Sequence, residues 1–129
     1  MFNKLKSIFS RKKAITPIPP KPSWQETVEL MYDKSLSCFS DEIVKVIYSN
    51  NKEKRVIFFK SENGFYYYSI EQLVEFDDEE WAYFAKEPDA LPAMWVTPIQ
   101  TSARSIFGTE QEAWDDFIVS PEYKHDFNK

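Results

Sequence analysis

Glycine is nearly missing from this sequence: Gly64 and Gly108 are the only two in 129 residues. Phosphate-cradling loops gather several glycines so that the backbone can approach the ligand, and the common nucleotide-binding motifs are therefore excluded. Cysteine and histidine occur once each, as Cys38 and His125. One cysteine closes no internal disulfide, and a structural zinc site built from Cys and His has too few ligands here. Cys38 reads as a small buried hydrophobe rather than a reactive thiol. No spaced acidic loop for calcium is present, so no metal and no cofactor is expected. The chain also lacks any apolar run near the ~20 residues that a spanning helix needs. Its first residues, MFNKLKSIFSRKK, scatter charge where a secretory signal would carry a basic head and an apolar block. The default location is cytoplasmic.

Catalytic constellations are equally scarce. A nucleophilic triad needs a base beside a Ser or Cys, and the lone His125 lies in a polar tail. Carboxylates are plentiful, but nothing argues for the substrate cleft that a glycosidase pair requires. The sequence carries no catalytic residue and reads as that of a non-enzyme.

What it does have is rings and charge. Aromatic residues make up 17 % and hydrophobic residues 43 % of the chain, enough apolar surface for one folded domain. The net charge of −5 hides an asymmetry. Residues 1–22 hold six of the sixteen basic side chains and no acid, which leaves ten bases against 21 acids, a net of −11, on the rest. An acidic body repels nucleic acid and attracts cationic protein surfaces.

Within the basic stretch, Phe2, Leu5, Ile8 and Phe9 recur at helical spacing among the lysines. That pattern suits weak contact with an anionic membrane. The AITPIPPKP segment follows as an extended, proline-stiffened linker. Residues 1–22 are thus a basic tail and linker, and residues 23–129 form a single domain.

Inside the domain, Ser23-Trp24-Gln25-Glu26 has the form of a capping box, and the apolar spacing predicts a helix from Trp24 to Leu36. Glu42 to Ser49 reads as a strand paired with the run that begins at Lys54, and a two-residue connection places Val44, Val46 and Tyr48 on the face of Ile57 and Phe59. Arg55 to Ile70 contains two strand-forming runs around Asn63-Gly64, the pattern of a two-residue type I′ hairpin. That turn sets Ile57 opposite Ile70 and Phe59 opposite Tyr68. Phe58, Phe65 and Tyr67 then fall together on the second face as an aromatic patch that a partner or another copy of the chain could cover. Asp77-Asp78-Glu79-Glu80 reads as the start of a helix, with Trp81, Phe84 and Ala85 turned inward. Ala93 to Pro98 is a short edge strand. A second capping box at Thr109–Glu112 opens a helix that must end before Pro121, with Glu110, Glu112, Asp115 and Asp116 outward. The tail from Glu122 is expected to be loosely held. The fold class is α+β: an antiparallel meander of three to four strands, with N- and C-terminal helices packed on one face.

The pattern Trp95-Val96-x-Pro98, then Ser105-Ile106-Phe107-x-Thr109-Glu110-x-x-Ala113, resembles small bacterial immunity proteins of contact-dependent and polymorphic toxin systems. The resemblance covers about residues 55–123, and the basic N-terminal tail is no part of it. It implies a cytosolic inhibitor that plugs the active site of a toxin, often a basic nuclease. On this reading the chain is a non-catalytic protein-binding module. Its partner-facing residues are Phe58, Phe65 and Tyr67 with the acids Asp77, Asp78, Glu79, Glu112, Asp115 and Asp116. The alternative is a peripheral membrane or scaffold component held by residues 1–22.

Overall fold

A computed structural model describes residues 18–97 and 105–128. In chain order the elements are helix α1 (Trp24–Met31), strands β1 (Glu42–Tyr48), β2 (Lys54–Lys60) and β3 (Tyr66–Glu75), helix α2 (Asp78–Phe84), strand β4 (Ala93–Val96) and helix α3 (Glu110–Ile118). A π-helical turn, Tyr123–Phe127, follows α3. The strands form one antiparallel sheet in the order β1-β2-β3-β4 with helices before and after it, an α+β arrangement. Among the described residues no helix is long and apolar enough to cross a membrane. The basic amphipathic stretch of the N-terminus lies outside the described residues.

Helices α1, α2 and α3 each start at a complete capping box. Ser23, Asp77 and Thr109 each accept the backbone N–H three residues on, and Glu26, Glu80 and Glu112 reciprocate. Each box satisfies amides that the first turn would otherwise leave without partners.

The central hairpin departs from the sequence-based register. Gly64 alone in the loop has a left-handed backbone, with φ of 85°. A type I′ turn needs that conformation at both central positions. The loop instead contains Glu62, Asn63 and Gly64, closed by Ser61 N–H to Phe65 C=O at 2.8 Å. The three-residue loop moves β3 by one position, so Val56 faces Ile70 and Phe58 faces Tyr68, while Phe59 faces Tyr67. A one-residue shift exchanges the faces of a whole strand.

Between β1 and β2 the connection is residues 50–53 rather than two residues, closed by Ser49 N–H to Lys54 C=O at 2.9 Å. Val46 faces Ile57 and Tyr48 faces Arg55, which keeps both on the expected face. A bulge between Ile43 and Lys45 breaks the alternation, and Val44 packs on the opposite side, with the Val56–Phe58 cluster.

The helices do not share a face. Val28 and Met31 of α1 pack with Leu73 and Trp95, whereas Ala113 and Phe117 of α3 pack with Val56 and Phe58. Residues 55–59 of β2 are consequently buried on both sides.

Helix α1 stops at Met31, short of Leu36, and side chains from the sheet take up the carbonyls at its end. Trp95 Nε1 donates to Met31 O at 3.0 Å, and Arg55 Nη1 donates to Lys34 O at 2.7 Å. Asp33 and Ser35 then turn through left-handed backbone, with φ of 60° and 61°. In α2, Trp81 is buried and donates to Pro19 O at 2.8 Å, but Phe84 lies exposed, stacked on Phe76.

The C-terminal tail is docked. Phe127 is buried against Phe117, and Asp126 pairs with Lys54 at 2.9 Å. Cys38, in contrast, is exposed, its thiol directed at Ser35 O, because the 32–41 segment crosses the surface after α1.

Candidate functional site

The approach to α3 is fixed to the sheet by a two-way bridge. Phe107 N–H donates to Tyr66 O at 2.7 Å and Tyr66 N–H to Phe107 O at 2.8 Å. Gly108 and Thr109 then donate to Glu112 Oε1 at 3.0 and 3.2 Å, so this carboxylate holds the helix entry while remaining at the surface. One turn on, Asp115 accepts from Gln111 at 2.9 Å and Asp116 from the Tyr68 hydroxyl at 2.6 Å.

An open depression of about 550 Å³ lies beside this stretch. Its acidic side is Glu112, Asp115 and Asp116, and its apolar side is Ile106, Phe107 and Val119. Ile106 is 59 % exposed and Val119 65 %, so both present their side chains to solvent beside the carboxylates. A rim of negative charge around exposed aliphatic groups is suited to a cationic, partly apolar protein surface. Burial raises the Tyr68 pKa well above the ordinary phenol value, and the neighbouring Asp116 carboxylate raises it further. Tyr68 therefore stays a neutral donor to the rim.

The residues expected to face a partner do not come together as one surface. Glu112, Asp115 and Asp116 come together here. Phe65, which closes the hairpin loop at the same end of the sheet, is 45 % exposed. Phe58 is 1 % exposed beneath α3, edge-on to Phe117, so it is core and offers no anchor. Tyr67 is on the opposite face, stacked on Phe59 and donating to Asp41. The expected aromatic patch is therefore split by the register, and its Phe58 part is covered by α3.

Asp77 precedes α2, and Asp78 and Glu79 lie in its first turn, near the far end of β3. Roughly 30 Å of strand separates the two ends, at ~3.3 Å per residue. Asp77 caps the helix, and Asp78 meets Lys21 at 3.2 Å. These acids belong to a different surface from those of α3.

Sequence reasoning missed Ile106 and Val119. A signal existed for Val119, which falls off the inward stripe of Ala113, Trp114, Phe117 and Ile118. A second depression, about 610 Å³ along β1, is lined by Tyr32, Ile47, Tyr48 and Lys52 among others, with Lys52 the one charged residue among its described lining. Among the described residues, no group of three or more His, Cys, Asp or Glu could hold a metal ion. His125 is exposed on the π-helical turn. No protein-family model matches the chain, and comparison with curated proteins and with solved structures yields no match.

Proposed function

We propose that this chain is a non-catalytic binding module that neutralises a basic protein partner, in the manner of a toxin-immunity protein. The observation that supports it is the depression beside α3, where three carboxylates flank the exposed side chains of Ile106 and Val119. The acidic excess of residues 23–129 acts in the same direction, because a complementary field speeds the encounter with a cationic surface. Apolar contact at Ile106 and Val119 would then slow dissociation.

The test is protection from toxicity. The chain is co-expressed with the toxin encoded beside its gene, and growth is compared between the wild type and Asp115→Lys/Val119→Lys. Both substituted side chains are exposed, so the variant keeps its core. The wild type should restore growth and the variant should not. An absence of any toxin beside the gene, or equal protection by both chains, would argue against neutralisation through this surface.

A further inference from the structure

The sequence around Asn63-Gly64 is compatible with two hairpin registers. Asn63-Gly64 favours a two-residue turn that would set Phe59 opposite Tyr68, whereas the observed loop sets Phe58 opposite Tyr68. Apolarity chooses weakly between them, because Tyr66, Tyr67 and Tyr68 put rings on both faces of β3 in either case.

Arg55 and Glu71 do discriminate. They stand directly opposite each other, Nε to Oε1 at 2.7 Å, with side chains 0 % and 6 % exposed. The guanidinium also lies over the Trp95 ring, 4.4 Å from its centre. After a one-residue slip, Glu71 would face Val56, inside the apolar cluster of Val56, Phe58 and Phe117. Lys45, which faces Phe58, holds its ammonium over the Trp114 ring on that side. Arg55 would face Gln72 instead, its charge unmatched under α1. Each ion would then be buried without its partner, which is far costlier than burying the two together. Arg55 Nη2 makes no hydrogen bond among the described residues, so the pair is not an optimal filling for stability alone.

We propose that the buried Arg55–Glu71 pair is a register lock, excluding the slipped hairpin that Asn63-Gly64 would otherwise allow. The lock also keeps Tyr68 on the α3 face, where its hydroxyl reaches Asp116. It does not rest on the partner-binding reading.

The register is read by NMR in the full chain. An Hα–Hα NOE between Phe58 and Tyr68 reports the observed pairing, and one between Phe59 and Tyr68 the slipped pairing. The wild type should show the first alone. Arg55→Met/Glu71→Leu, which replaces the pair with apolar groups of similar size, should show both, with a second resonance set for residues 66–70. A folded double variant with only the Phe58–Tyr68 contact overturns the proposal. Should the double variant give no dispersed spectrum, Glu71→Gln is read the same way: a slipped set supports the lock, and a single observed register overturns it.

Discussion

Arg55 links several parts of the α1 face. Its guanidinium reaches Glu71, the Lys34 carbonyl and the Trp95 ring, tying two strands and the end of α1 to one charge. Glu71→Ala leaves that charge buried and unpaired, and should cost about 3–5 kcal/mol in urea unfolding. The Arg55→Met/Glu71→Leu double variant should lose much less. Equal losses for the two would show that the pair is not coupled. None of this was legible beforehand, since an arginine at the start of a strand ordinarily reads as solvated. Cys38 erred the other way, because the left-handed turns at Asp33 and Ser35 carry its segment to the surface. Tyr68 gives the molecule an alkaline limit. Its pKa is raised in the folded state, so above pH ~10 the unfolded chain releases a proton that the folded chain keeps. The stabilisation is complete below that pH and is lost as pH rises further. Tyr68→Phe should flatten this decline in thermal melts between neutral and alkaline pH; an unchanged profile would place the effect elsewhere.

Among the elements, the helices were the most readable and the turns the least. The capping boxes at Ser23 and Thr109 and the helix start at Asp77 could be identified because their chemistry is local, a hydroxyl or carboxylate three residues before a glutamate. Thr109→Ala should destabilise by about 1 kcal/mol, measured by thermal unfolding, with Thr109→Ser close to the wild type. The hairpin loop was misread because Asn-Gly serves both a two-residue turn and, with Gly64 alone in left-handed backbone, a three-residue one. An added Cβ at Gly64 would meet nothing within 4 Å, so the cost of Gly64→Ala is backbone strain only, about 1–2 kcal/mol. Gly64→Asn should cost less. The end of α1 and the π-helical turn depend on donors and cavities supplied from across the sheet, and spacing along the chain carries no trace of those. Phe127→Ala should remove about 3–5 kcal/mol, far more than a frayed tail would yield.

At the scale of the whole molecule, sheet class and strand order followed from alternation and turn chemistry, while the allocation of helices to faces did not. Val56 and Phe58 look no different in sequence from Ile57 and Phe59, and only the register decides which set meets α3. The candidate surface was half visible, in the outward acids of α3, and its apolar half came from Ile106 and Val119 on either side of that helix. Charge on this scale should govern association. The on-rate with a basic partner should fall as salt screens the field, while Val119→Lys should mainly raise the off-rate. The most direct measurement is a paired affinity capture from the source cell, with the wild-type chain on one support and Asp115→Lys/Val119→Lys on the other. A basic protein should be held by the wild type, released by moderate salt, and absent from the variant. Recovery of the same proteins on both supports, or of none with a basic surface, would argue against neutralisation of a basic partner through this surface.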